Sequence, residues 1–377
     1  MFENITDTAK TRAEIDLNAV LNNYLYTKSI VGKRIICVVK ADAYGHGAVA
    51  VAKKLQENGA DFFAVANIDE ALELRRGGIT GGILILGYVF PDFIDTAINN
   101  EISISLASLN AAKFIVERAC SRKIKVHIKL NTGMNRTGFN ISHGNVPADL
   151  IETAKILKSN PNIIPEGVFS HFAAAENNPE FSKFQYHNYL IGEKYLESVG
   201  IIPEIRHICN SAGLLEYRDM HLDAVRLGIT LYGCSEECTN SEYLPVMQFK
   251  TRIVDIHELN SGDCVSYGLT YKADKPIKMA VICAGYADGL RRCLSGGKGY
   301  VLCHGKKAQI IGRVCMDMSM IEISDIPEAK VGDDVVIWGE DSGVRLTCDE
   351  QAKNADTISY ELLCGVSKRV PRVYIGK

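Results

Sequence analysis

The sequence has no long hydrophobic run. Its longest apolar stretch, "ILILGYVF" (83–90), falls well short of the roughly 20 residues a membrane helix needs. The opening "MFENITDTAK" carries no apolar leader core. Charge of one sign is also lacking. The 42 basic and 45 acidic residues leave a net charge of −3. That balance offers no electrostatic footprint for nucleic acid or an acidic membrane surface. Cysteines are plentiful, 12 in all, but they lack metal spacing. Only Cys234 and Cys238 stand close together, and no second pair follows, so no metal site is expected. Cys37, Cys209 and Cys283 lie inside apolar runs and read as buried thiols of a reducing compartment. These absences describe a soluble, cytoplasmic chain with no membrane segment, or the cytoplasmic domain of a longer membrane protein. With 377 residues, 47% of them hydrophobic, it has material for two domains.

What is present is a rhythm. Short β-branched runs recur at "RIICVVK" (34–40), "DFFAVA" (61–66), "GILILG" (82–87), "ISISL" (102–106), "KVHIKL" (125–130), "PEGVFSHF" (165–172), "EIRHICN" (204–210) and "DAVRLG" (223–228). Helical stretches separate most of them. "NIDEALELRRGG" opens on a capping Asn and an acidic turn and closes on Gly-Gly. Eight alternations over about 230 residues match a (β/α)₈ TIM-type barrel, and the near-continuous apolar strands suit a parallel sheet covered on both faces. A doubly wound open sheet is the competitor, but eight regular units favour closure. From about residue 245 the pattern becomes strands and turns, with helical signal only at 348–366. The expectation is a barrel over 12–244 and a mostly-β C-terminal domain over 245–377, joined by an N-terminal strand in 1–11; the stretch "RAEIDL" is ambiguous and open to pairing with the second domain.

In such a barrel, chemistry sits at the C-terminal ends of the strands. Lys40 ends the first strand, in "VVKADAYGHG" (38–47), followed by Tyr44. The fifth strand ends with Lys129 and Arg136, the sixth with His171, the seventh with Asn210 and Ser211, and the eighth with Arg226, Gly228 and Ile229. A desolvated lysine becomes an amine nucleophile able to form a Schiff base. The loops after strands seven and eight are the recurrent phosphate site of this fold. The ligand should therefore carry a phosphate at one end and a lysine-reactive group at the other, as pyridoxal 5′-phosphate does. Each residue alone has a plainer reading: a rim lysine, a core histidine, a helix N-cap at Asn210 and Ser211, a structural ion pair at Arg226. Their coincidence at one barrel mouth favours a shared site.

The chain resembles the alanine racemase family of barrel-type pyridoxal-phosphate enzymes. Beyond "VVKADAYGHG", the motifs "NTGMNRTGF", "SHFA", "NSAG", "VRLGITLYG", "VSYGLTY", "AGYADG", "GRVCMDM" and "ISYELLC" follow in family order. The resemblance implies a cytoplasmic homodimer that interconverts L- and D-alanine by a two-base mechanism and supplies D-amino acid for peptidoglycan precursors. It implies that Lys40 binds the cofactor and serves as one base. Tyr267, from the second subunit, would be the other. Arg136 would support Tyr267 and the cofactor oxygen, His171 would lie against the ring, and Arg226 would meet the pyridine nitrogen. Tyr44, Ser211, Gly228, Ile229 and Tyr360 would hold the phosphate, with Asn210 beside them. Met316, Asp317 and Tyr286 would face the substrate carboxylate. Lys129 matches a lysine that is carbamylated in some relatives, where it orients the arginine corresponding to Arg136.

The chain departs from the common family pattern at Arg12, Asn131, Gly213 and Met318, where Trp, Asp, Ala and Gln are usual. Two of these flank the substrate end, which leaves a second reading open: a serine or dual racemase of the vancomycin-resistance type, the soluble part of a membrane protein. A basic amino-acid decarboxylase would carry a glycine-rich phosphate loop, which is missing. A non-catalytic pyridoxal-phosphate-binding protein would need no Tyr267 domain.

Overall fold

The computed structural model describes residues 10–142, 144–234 and 242–376. The chain separates into two compact units. One comprises Leu21–Ala43 and Ala48–Leu231; the other comprises Met1–Val20, Tyr44–Gly47 and Tyr232–Lys377.

The first strand, β1 (Arg12–Asp16), belongs to the second unit. The barrel strands follow: β2 (Arg34–Val38), β3 (Phe62–Val65), β4 (Gly82–Ile85), β5 (Ser103–Leu106), β6 (Ile124–Asn131), β7 (Ile163–Phe169), β8 (Ile205–His207) and β9 (Ala224–Leu227). All eight are parallel, in the order β9-β2-β3-β4-β5-β6-β7-β8. The β8–β9 seam is spanned by Asp223 N–H to Arg206 O at 3.1 Å and Arg226 N–H to Cys209 O at 3.0 Å. The sheet is thus a nearly closed barrel. Its strands are apolar because both faces are covered: Ile36, Phe63, Leu84 and Val126 are all fully buried. Truncating Phe63 to Ala would cost about 3–5 kcal/mol in cavity and transfer terms.

The helices between strands begin where their sequence caps them. Asn67 Oδ1 accepts from Glu70 N–H ahead of Ile68–Arg76, with Asp69 and Glu70 in the first turn and Arg75 and Arg76 in the last. Ser108 caps Leu109–Ala119 in the same way. The buried stripe of the first of these helices is Ile68, Ala71 and Leu74, at the 3–4 spacing that faces a helix onto a sheet.

The second unit is built on one mixed sheet. Its further strands are β10 (Met247–Leu259), β11 (Ile277–Ile282), β12 (Tyr300–Cys303), β13 (Lys306–Ile311), β14 (Ser319–Glu322), β15 (Asp334–Asp341), β16 (Val344–Leu346) and β17 (Arg372–Ile375), in the order β16-β15-β12-β13-β14-β11-β10-β1-β17. Two helices, Cys348–Asn354 and Ser359–Gly365, accompany it. The stretch "RAEIDL", open in the sequence between the barrel and the second domain, pairs with the β-rich sheet. Arg12 pairs with Lys250 on β10, and Ala13 pairs in parallel with Arg372 on β17. Alternation in "RAEID" buries Ala13 and Ile15 completely, and Arg12 forms ion pairs with Glu14 and Asp334. The strand expected in 1–11 falls mostly on residues 1–9, outside the described residues.

Among the described residues no helix is long and apolar enough to cross a membrane. No cluster of three metal-ligating side chains occurs among them. Cys37 and Cys209 are buried thiols, Cys283 is only half-buried, and Cys238 lies outside the described residues.

Candidate active site

The chain leaves β2 and turns immediately. Residues Ala41, Asp42, Ala43 and Tyr44 all have φ between 51° and 53°, so the helical turn Lys40–Gly45 is left-handed. Such a turn costs L-residues about 1–2 kcal/mol each. Its neighbours hold it. Glu70 accepts from Ala41 N–H (2.8 Å) and Ala66 N–H (2.7 Å), and Asp42 Oδ1 accepts from Ala48 N–H at 2.8 Å. The strained turn sets the half-buried Lys40 at the mouth of β2.

Around that mouth the barrel unit gathers positive charge. Lys129 is 7% exposed and its ammonium lies 5.4 Å from the Phe169 ring centroid. Burial lowers its pKa to about 8, helped by Arg136, Arg226 and Lys40. His171 shares a small cleft with Lys129, Arg136 and Asn131. Burial and then the cations Arg226, Arg136, Lys40 and Lys129 push it well below the usual histidine range, so the ring is neutral. Four cations thus converge on one neutral imidazole, an arrangement suited to an anionic ligand.

Arg226 is 2% exposed. No ion pair involving it occurs among the described residues, which disposes of the structural ion-pair reading. Its Nη1 donates to His207 Nδ1 (2.7 Å) and His207 O (3.3 Å). Its Nη2 donates to Ser170 O (2.8 Å), His171 Nδ1 (2.9 Å) and Ile208 O (2.8 Å). All five bonds leave from Nη1 and Nη2, and Nε–H meets no acceptor among the described residues. Burial lowers the guanidinium pKa to about 10, still charged at neutral pH. Nε is not sealed from solvent, so this one donor of the cation stands open to a ligand.

The structure brings Ser211 and Gly228 together, with the Gly228 N–H already engaged. Ser211 Oγ accepts from Gly228 N–H at 3.0 Å and from Thr230 Oγ1–H at 3.1 Å. Ile229 follows, 2% exposed. Asn210 does what its plainer reading said: its Oδ1 caps Ser211–Glu216 by accepting from Gly213 N–H.

The remaining expected residues lie in the β-rich unit. Tyr44 is buried against Tyr232 and Tyr360, with ring centroids at 4.9 and 5.9 Å. Burial, then Tyr360 and Cys364, push its phenol up, so it is a neutral hydrogen-bonding group. Tyr267 is 72% exposed on a tight turn, between Ser266 (φ 69°) and Gly268 (φ 72°). Ser266 Oγ–H donates to Arg313 O at 2.7 Å and lies 3.6 Å from Cys315 Sγ. That places the turn beside Met316, 53% exposed, and Asp317. Tyr286 joins them through its N–H to Cys315 O (2.9 Å). Arg369 bridges Asp317 and Asp288, each at 2.8 Å.

The sequence reading missed Glu70, His127, Glu166 and His207. His127 and His207 are fully buried and bond each other at 3.0 Å. A signal existed: His127 has the same strand parity as Lys129 in "KVHIKL", so both point to one side of β6.

Comparisons with known proteins give the family. Residues 15–236 match the family model for the N-terminal domain of alanine racemase, and residues 246–374 match that for its C-terminal domain. The chain belongs to the alanine racemase family. It is 42% identical over 372 residues to alanine racemase from Clostridium tetani, covering 96% of this chain and 95% of that protein. It is 44% identical over 371 residues to alanine racemase 1 of Clostridium acetobutylicum, covering 96% and 95%. Among solved structures, alanine racemase of Clostridium difficile 630 matches with a TM-score of 0.91 at 37% identity, covering 98% of this chain and 96% of that one.

Proposed function

We propose that the chain is an alanine racemase that uses pyridoxal 5′-phosphate and two bases, Lys40 and Tyr267. The observation that carries this is the barrel mouth, where Lys40 stands among the cations Lys129, Arg136 and Arg226, the last with one donor open to a ligand. The residues fit the cofactor. The Ser211–Gly228 pair suits a phosphate, and Arg226 Nε–H, a donor that stays protonated, suits the lone pair of a ring nitrogen. Neutral His171 suits the face of the ring. When bound, the cofactor supplies the electron sink for the substrate α-carbon.

The chain's own residues do the rest. Lys40 Nζ holds the cofactor and moves the α-proton on one face. Tyr267 Oη moves it on the other, and two bases on opposite faces serve both directions. Tyr267 stands exposed on the β-rich unit, so it can complete the barrel mouth of a second copy. The working unit is therefore a homodimer in which the partner subunit's Tyr267, Met316 and Asp317 face the substrate. Tyr44 and Tyr360 hold the phosphate, and Arg136 supports Tyr267.

The relatives named are alanine racemases, which favours alanine over serine and turnover over mere cofactor carriage. The test is racemisation of a panel of L-amino acids by the cofactor-loaded chain. Alanine should give the highest kcat/KM. A higher value for serine would move the chain to the serine racemases.

A further inference from the structure

A line of polar side chains runs through the barrel interior behind Arg226. From Arg226 Nη1 it passes to His207 Nδ1 (2.7 Å), from His207 Nε2 to His127 Nδ1 (3.0 Å), and from His127 Nε2 to Glu166 Oε2 (3.1 Å). Glu166 also accepts from Ser103 Oγ–H at 2.5 Å and Lys125 Nζ at 2.7 Å. Both imidazoles are fully buried, and the Glu166 side chain is 9% exposed.

Donor arithmetic gives this line one direction. An arginine has no acceptor, so His207 Nδ1 must bear a lone pair. A neutral His207 then carries its proton on Nε2 and donates to His127 Nδ1. By the same step, His127 carries its proton on Nε2 and donates to Glu166. The carboxylate is the only group in the line that accepts without donating. Burial lowers His207 and His127, which keeps both rings neutral. Burial would raise Glu166, but bonds from His127, Lys125 and Ser103 bring it down to about 2, so it is ionised.

The backbone is shaped for this line. The β6–β7 pairing steps from Val126↔Pro165 to His127↔Gly167, so Glu166 is the extra residue of a bulge. Bulges re-aim a side chain out of the regular alternation. At Gly167 an added Cβ would collide with the His127 ring. Phe169 stacks on His207, with centroids 4.9 Å apart and planes 3° apart. Nothing in the packing of an ordinary barrel core calls for a carboxylate and two imidazoles on one line.

We propose that Glu166 and His127 are positioning residues: through the tautomer of His207 they fix the Arg226 guanidinium, and they serve as its remote counter-charge. This deepens the functional reading and rests on Arg226 meeting the cofactor's ring nitrogen. With a carboxylate held three links away, the guanidinium stays rigid and cationic without a direct acid partner, and Nε–H stays aimed at the mouth.

Two measurements test it. In the chain without cofactor, side-chain ¹⁵N spectra of labelled histidine should show His127 and His207 as neutral Nε2–H tautomers at pH 7. Either ring in the Nδ1–H form, or charged, overturns the line of donors. In the cofactor-loaded chain, Glu166→Gln should lower kcat about tenfold with little change in KM. In an Arg226→Lys background the same change should matter less than twofold, because the effect runs through Arg226. Additive losses overturn the positioning role and leave Glu166 a structural residue. Should Glu166→Gln not fold, His127→Gln enters the same cycle with the same expectation. If Arg226→Lys leaves the bound cofactor's visible absorbance unchanged, the ring-nitrogen reading itself fails, and the positioning role falls with it while the tautomer result stands.

Discussion

The barrel mouth and the exposed face of the β-rich unit hold their proposed active residues in opposite ways. Arg226 is held by five hydrogen bonds, with two imidazoles bonded edge to edge behind it. Tyr267 stands 72% exposed on a turn, and Met316 and Tyr286 beside it are 53% and 44% exposed. The first set is pre-organised by its own unit. The second is presented to solvent, and in the proposed function it completes the site of a partner subunit. A residue that must grip a rigid ring profits from being wired in place. A residue that must complete a partner's site has to remain uncovered, and a large aromatic left in solvent is the sign of it.

The sharpest break in that comparison is Lys40→Ala. It removes the cofactor anchor and one base together, so racemisation should fall by more than about ten thousandfold, the top of the range for one proton-transfer group. Absorbance of the bound cofactor should vanish with it. A variant that keeps both would mean another lysine is the anchor.

Next comes Tyr267→Phe, expected to cost about a hundredfold to ten thousandfold in proton transfer. The loss should be unequal when solvent deuterium uptake is followed from each enantiomer separately. Thermal stability should stay within about 0.5 kcal/mol of the parent, since the phenol is exposed. Equal loss from both enantiomers would break the two-face assignment.

Mixing the inactive Lys40→Ala and Tyr267→Phe chains tests whether the two sets meet across subunits. Statistical exchange would restore about a quarter of parental activity, because each heterodimer regains one intact site. Heterodimers shown by mass to form, yet silent, would place each site within one chain.

Acid should find the wired region first. His127, His171 and His207 have folded-state pKa values below the ordinary 6.5. The unfolded chain then binds more protons, so their contribution is present above about pH 6.5 and lost as pH falls below it. Glu166, lowered from 4.5 to about 2, adds a second loss of up to about 3 kcal/mol between those values. Urea midpoints between pH 8 and 3 should therefore decline in two stages. A flat profile down to pH 5 would contradict the neutral burial of the rings.

The smallest effect concerns Lys129. A pKa of about 8 leaves much of its amine neutral at pH 8, the form that adds carbon dioxide. Bicarbonate at pH 8 should add one CO₂ to the peptide containing Lys129 in intact-mass and fragment analysis. Addition at other lysines and not at Lys129 would show that the cleft excludes it.

How much of this was legible beforehand follows from the physics of each element. All eight barrel strands were readable, because parallel strands covered on both faces are runs of Val, Ile and Phe. Lys40, whose role is proposed, drew notice because a lysine closing such a run is out of place. Arg12–Asp16 stayed open between the two domains because alternation gives a strand's faces but not its sheet. The line behind Arg226 escaped notice for two reasons. His127 and His207 each look like one polar residue in an apolar strand, and the bulge at Glu166 breaks the alternation that would have aimed it inward. The turn at 41–44 could not be foreseen either, since "ADAY" contains none of the glycine or asparagine that signals positive φ.

That turn has a consequence for how the protein would respond to selection. Four consecutive side-chain-bearing residues in left-handed geometry store about 4–8 kcal/mol. Ala41→Gly or Ala43→Gly would relieve part of it, for a net gain of up to about 1 kcal/mol after the added freedom of the unfolded chain. A laboratory search for thermal tolerance alone would drift toward glycine here. It would loosen the segment that aims Lys40, trading turnover for heat resistance.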